Sequence, residues 1–166
     1  MKKLFTLVAL SLSSLFSPAR AESNLSVVFV NPENYSDAGY SSSFANAPDR
    51  TDVQRDIEQH LQRLAQRALP SGDSLKIEVL DIDLAGRVEP LLSRVGGDVR
   101  VIRGISWPRM KLRYTLTHAD RATPSREALL ADLNYLASFN RYPGGDRLRY
   151  EKAMLDRWFD EQFGKR

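Results

Sequence analysis

The 166-residue chain has no cysteine. That removes thiol nucleophiles, zinc–thiolate sites, disulfide exchange and lipid attachment through an N-terminal cysteine. Histidine is scarce as well. His60 and His118 stand far apart and form no HExxH or similar ligand pair. No GxSxG elbow, SxxK motif or P-loop occurs, so serine-hydrolase, penicillin-binding and nucleotide-hydrolysing chemistries lose their usual support. Gly96-Gly97 alone makes no phosphate cradle. The sequence has no internal repeat and no low-complexity tract, and it implies no cofactor and no metal site of ordinary spacing.

A long membrane span is also missing. The apolar stretch Leu4–Phe16 is too short to cross a bilayer. It is flanked as an export signal is: Lys2 and Lys3 precede it, Pro18 breaks it, and Ala19-Arg20-Ala21 places small residues at −3 and −1 of a cleavage site. The pattern predicts a secretory signal peptide over residues 1–21, cleaved after Ala21, and a mature single domain over residues 22–166. The expected product does not span the membrane after cleavage.

Removing the signal removes the positive charge. The full chain carries +3, but Lys2, Lys3 and Arg20 all lie in the signal, leaving 21 basic residues against 21 acidic ones. A neutral domain without a basic run lacks the concentrated patch that phosphate neutralisation requires, so nucleic acid is not an expected partner. The mature length is sufficient for a core that needs no disulfide.

Leu25–Val30 (LSVVFV) is β-branched and apolar on both faces, which predicts a central strand. Asn31–Asp49, rich in Ser, Asn, Gly and Pro, has no period and is expected to be a long loop. Its rings Tyr35, Tyr40 and Phe44 either pack the loop onto the body, the simpler account, or offer an interaction surface. Thr51–Leu69 predicts a helix: Thr51 and Gln54 have the capping-box form, and Pro70 and Gly72 close it. Val53, Ile57, Leu61, Leu64, Ala65 and Ala68 form one apolar stripe, with His60 at its border as a half-buried packing residue.

Leu75–Leu84 predicts the strongest strand, but its alternation changes phase. Ile77 and Val79 are apolar on one parity, then Leu80, Ile82 and Leu84 on the other, with Asp81 and Asp83 between them. Side chains alternate faces along a strand, so the flip needs a cause. A β-bulge near Val79-Leu80 would keep the apolar set inward and put both aspartates on the wet face. A strand covered on both sides would instead bury them. Arg87–Val95 reads as a loop, Gly96-Gly97-Asp98 as a turn, and Val99–Arg103 as a short strand. Pro108–His118 predicts an antiparallel strand with Met110, Leu112, Tyr114 and Leu116 on one face and Arg109, Lys111 and Arg113 on the other. Ala119–Ala122 is a hairpin connection. Ser125–Leu136 admits a helix by propensity or a strand by the alternation of Leu129, Leu133 and Tyr135. Phe139–Gly145 is a loop, and Asp146 is expected to cap a final helix, Arg147–Phe163, with an aromatic side that includes Trp158. The sum is an α+β fold: a small antiparallel or mixed sheet of about four strands, with both helices mainly on one face.

The stretches VFVNPENYSDA (28–38), LPSGDSLKIEVLDIDLAG (69–86), DVRV (98–101), SWPRMKLRYTL (106–116), DLNYL (132–136) and YEKAML with Trp158 (150–158) resemble the domain of unknown function 3016 family, small secreted proteins of Gram-negative bacteria. The resemblance spans nearly the whole mature chain in order. It implies a periplasmic protein and an extended segment near Arg126–Tyr135, although the glycine often found there in the family is missing. It implies no reaction and no catalytic residues.

Chemistry is left to carboxylates. Asp81 and Asp83 on one strand face, about 7 Å apart by strand rise, suit three roles. They could be structural partners of Arg100, Arg103, Arg109 or Arg113, the simplest account. They could be an acid–base pair for cleaving envelope glycan or peptide. They could be ligands of a divalent cation. Glu33, Asp37, Asp132 and Glu151 read first as cap, turn or hydrogen-bonding groups. The favoured function is a non-catalytic binding or envelope-assembly module for an envelope protein or cell-wall component. It would use an open sheet edge, the 31–49 loop or the aromatic last helix, with Tyr35, Tyr40, Phe44 and Trp158 as candidate contacts. A carboxylate-dependent hydrolase or cation-binding protein centred on Asp81 and Asp83 is the alternative.

Overall fold

The structure, a computed structural model, describes residues 24–40, 47–89 and 99–164. The predicted signal peptide, Phe44 and the Gly96-Gly97-Asp98 turn lie outside the described residues. The elements run β1 (Leu25–Phe29), α1 (Ala47–Ala68), β2 (Asp73–Asp83), β3 (Arg87–Glu89), β4 (Val99–Val101), β5 (Arg109–His118), β6 (Arg121–Ala122), β7 (Arg126–Ala131) and α2 (Arg149–Phe163). The main sheet has the order β1-β2-β5, with β6 and then β7 on the far side of β5. β1 is parallel to β2 and every other pairing is antiparallel, so the sheet is mixed and has five strands. β3 and β4 form a separate ribbon. This is the α+β architecture expected, with one more strand in the main sheet.

Both helices cover one sheet face. Leu75, Ile77, Val79 and Ile82 of β2 and Met110 and Leu112 of β5 are buried in one cluster with Val53, Ile57, Leu61 and Leu64 of α1 and Met154, Leu155 and Phe159 of α2. Each such side chain, fully withdrawn from water, contributes about 1.5–3 kcal/mol. Tyr114, Trp158, Phe159 and Phe163 cluster at one end of this core, edge-on with centroids 5.4–5.9 Å apart except for the tilted Phe159–Phe163 pair at 4.8 Å. The opposite face is charged. Arg113 bridges Glu78 and Glu127 there, and Lys111 also reaches Glu127.

Several expected boundaries move. α1 begins at Ala47, a turn before Thr51, so Thr51 is not its N-cap. Pro48 falls in the first turn, where a missing N–H breaks no helical bond. The expected loop 31–49 is therefore shorter, and it contains a 3-10 turn at Pro32–Asn34. Asp146 does accept the Leu148 N–H at 3.0 Å, but α2 starts at Arg149. Residues 126–131 are strand, not helix: pairing to β5 outweighs the helix propensity of Glu, Ala and Leu. Part of the expected loop after Arg87 is the short strand β3. The β5–β6 connection uses two residues at positive φ, Ala119 (45°) and Asp120 (63°), the backbone that suits a two-residue hairpin.

Candidate functional site

The β2–β5 register shifts between Val79 and Asp81, leaving Leu80 without a cross-strand partner. This bulge resolves the phase change. Val79 and Ile82 both face the core, and the acids beyond the bulge fall opposite bases: Asp81 beside Lys111 and Asp83 beside Arg109. The bulge does not make both acids solvated, however. Asp83 is 3% exposed. Its carboxylate accepts from Arg87 Nη1 and Arg109 Nε, each at 2.9 Å, and Arg109 Nη2 adds a further bond. Asp81 is half-buried and accepts from the Ser36 N–H at 2.7 Å and the Ser36 hydroxyl at 2.8 Å. One acid closes a turn and the other ties three strands together.

The segment that Asp81 holds runs beside the end of β2. Asp37 N–H donates to Ile82 O, and Leu84 N–H donates to Asp37 O, a single parallel bridge that extends the sheet past β1. Arg100 of β4 grips the Asp37 carboxylate through both terminal nitrogens, at 2.8 and 3.0 Å, and also reaches the carbonyls of Gly39 and Ala85. Gly86, at φ 81°, lets the chain turn beneath β4: a Cβ there would lie 2.5 Å from Val101 O. From the other side, Glu151 of α2 accepts the Ala85 N–H at 2.7 Å. Glu151 is fully enclosed. Burial pushes its carboxyl up to about 7, partly countered by the Ala85 bond, and its Oε2 has no partner among the described residues.

The arrangement assigns each sequence-derived candidate a place. Asp81 and Asp83 come together on one face, but both are occupied, and neither lines the clefts described below. Of the four arginines named beside them, only Arg109 touches Asp83. Arg100 goes to Asp37, Arg103 to Glu89 and Arg113 to Glu78 and Glu127. Tyr35 is partly buried, donates to Val79 O at 2.7 Å, and is pushed by burial up to about 12. Tyr40 bonds Asp56 at 2.8 Å, and burial together with that acid raises it further above its ordinary value. Trp158 is 7% exposed, so its ring is core rather than surface. His60 is not half-buried: it is 3% exposed and meets Asp156 at 3.0 Å, where Arg141 and Tyr142 also converge. Among the described residues, no three His, Asp or Glu side chains gather as a metal site.

Two concavities stand out among the described residues. A cleft of about 480 Å³ is lined by Tyr40, Arg100, Arg147, Arg149 and Tyr150 among others, with Arg147 over the Tyr40 ring and Arg149 over Tyr150. A groove of about 440 Å³ lies between β7 and α2. Among the described residues, the large apolar groups most open to solvent are Ile105, Leu129, Leu133, Leu136 and Phe139, none of them named from sequence as contacts. The signal that could have found Leu129 is the alternation within 126–131, which places it opposite buried Leu130 in parity.

The fold is thus a mixed sheet with helices on one face and a charged opposite face. Against known proteins, the chain matches the family described as "Protein of unknown function (DUF3016)" over residues 23–161, and it belongs to that family. No curated protein and no solved structure matches it. The stretches that carry the family resemblance meet around the end of β2. Ser36 and Asp37, Asp81 to Gly86, Arg100, Arg109 and Glu151 all contribute to this one node. No helix among the described residues is long and apolar enough to cross a membrane.

Proposed function

We propose that the protein is exported to the periplasm and works there as a non-catalytic binding or envelope-assembly module. The observation that carries this reading is the occupancy of its acids. Both Asp83 oxygens are held by arginine, and both Asp81 oxygens by Ser36. A glycan-cleaving pair needs two carboxyls facing a shared gap for substrate and water. A calcium site needs six to eight oxygen ligands. The node offers neither, and its bonds run from element to element. What the fold leaves unmatched is surface: an open strand edge at β7 and exposed Leu129, Leu133, Leu136 and Phe139.

The test is photocrosslinking in cells from Tyr40, Leu129 and Phe139, one position at a time. Discrete adducts from at least one position, identified by mass spectrometry, are expected. Normal protein levels with no adduct from any position would count against a binding role. Osmotic-shock release, with an N-terminus at Glu22, is the expected result for localisation; retention with residues 1–21 attached would overturn it.

A further inference from the structure

β7 ends the sheet. Among the described residues it pairs with β5 alone, in unbroken register from Arg126↔Tyr114 to Ala131↔Arg109. Just past its end, Asp132 N–H donates to Pro108 O at 3.2 Å. Hydrogen-bonded positions alternate along an antiparallel ladder. The peptide groups of Arg126, Ala128 and Leu130 therefore turn toward β5, and those of Glu127, Leu129 and Ala131 turn outward to no strand. Edge strands are usually blunted by proline, lysine or a bulge. Here Arg126 and Glu127 charge the first two positions, but Ala128–Ala131 carries no proline, charge or bulge.

The space beside that edge is shaped for side chains. The groove between β7 and α2 is lined by Ala128, Leu130, Met154 and Trp158, with Arg157, Glu161 and Gln162 adding polar surface. An added strand continues the pleat of β7, so every second side chain would point to the face of Ala128 and Leu130, into this groove. Trp158 lines it and is 7% exposed. Arg157 is tied to Asp132, whereas Glu161 on the rim meets no cation among the described residues.

We infer that the free edge of β7 captures an extended segment of a partner protein by strand addition. Its bulky apolar side chains at alternate positions fill the groove under α2 against Trp158, and a lysine or arginine lies near Glu161. The inference rests on the binding-module reading and names its surface. Main-chain bonds supply affinity in this mode, and alternate pockets supply specificity. A second copy offering its own β7 fits less well: paired about Leu129, its groove-face side chains are Arg126, Ala128, Leu130 and Asp132, of which only Leu130 is a bulky apolar group and Asp132 is already held by its own Arg157.

The test uses chain 22–166 on an array of nine-residue peptides in which Leu, Ile, Val or Phe alternates with Thr, Ser, Lys or Glu. Lys-containing members are expected to bind. On binding, the amides of Glu127, Leu129 and Ala131 should gain exchange protection, and the Trp158 indole resonance should shift. Leu129→Pro removes one outward N–H without touching the bonds to β5 and should weaken binding at least tenfold. Leu129→Lys keeps the backbone and should retain it. Should Leu129→Pro unfold, Glu161→Lys carries the test by turning the preference from Lys-containing to Glu-containing peptides. Binding that is indifferent to both Leu129→Pro and Glu161→Lys, or no binding at all, overturns the inference. So does a dimer that dissociates in Leu129→Pro, which would assign the edge to a second copy. Cellular crosslinks from Tyr40 or Phe139 with none from Leu129 would leave the binding module standing and remove only this surface.

Discussion

Asp83 and Arg109 face each other across β2 and β5 only because Leu80 is an extra residue in β2. Without the bulge, the acids of the second half of β2 would fall on the core face, where Ile82 now packs. One inserted residue converts an apolar–acidic clash into a ladder with Asp83 opposite Arg109, Asp81 opposite Lys111 and Glu78 opposite Arg113.

The two aspartates should therefore differ in what they stabilise. Asp83→Asn removes the charge that two guanidinium groups share and should cost about 2–3 kcal/mol, below the full penalty for a buried pair because both arginines can return to water. Asp81→Asn keeps an oxygen for the Ser36 N–H and should cost under about 1 kcal/mol. Urea unfolding of the two variants checks the order. A reversed ranking would mean that the node is not organised by Asp83.

Gly86→Ala should be among the most damaging single changes. The residue combines φ 81° with a backbone carbonyl 2.5 Å from the new methyl group. Strain at such a position costs about 1–3 kcal/mol before the clash is counted. Loss of amide protection in Val99–Val101, ahead of the main sheet, would locate the damage in the β3–β4 ribbon.

Glu151 sets a pH dependence of definite sign. Its folded-state value near 7 lies above the ordinary 4.5. Between these values the folded chain holds a proton that the unfolded chain has released, so stability falls as pH rises from about 4.5 to 7 and stays low above that. A shift of this size corresponds to about 3 kcal/mol. Glu151→Gln can still accept the Ala85 N–H and should flatten that slope. Urea midpoints at pH 4.5, 6 and 8 measure it, and an unchanged slope in the variant would place the titration elsewhere.

Asp156 works in the opposite direction. Burial pushes its carboxyl up, but hydrogen bonds from His60 and Tyr142 and the nearby Arg141 outweigh this and hold it below the ordinary 3.8. Its contribution is present above that ordinary value and is lost as pH falls through the lower folded-state one. Asp156→Ala leaves His60 buried without its partner and should cost about 2–4 kcal/mol at pH 7. The variant should also lose part of the acid sensitivity expected below pH 4, measurable by the same unfolding curves.

The sequence by itself determined the elements whose periodicity is strong. The α1 stripe from Val53 to Ala68, the two-faced β5 and the phase flip at Val79-Leu80 all follow from one-dimensional spacing, because a helix or strand must put its apolar residues on one side. The flip narrowed its cause to a bulge or a strand covered on both sides, and the β2–β5 register decided for the bulge. Where local preferences conflicted, pairing decided: Arg126–Ala131 has helix-forming residues, but β5 offers an unsatisfied edge. Tertiary structure alone decided the fate of the polar groups. Asp83 lies on the face away from the helices, as a bulge requires, yet Arg87 and Arg109 cover it, and neither arginine's reach is written in the spacing of β2. Trp158 became core, and Leu129 became surface beside an empty edge. Burial of a polar or aromatic side chain depends on which distant segments arrive above it, and that follows from the packing of the whole sheet, not from the neighbours of a residue in the chain.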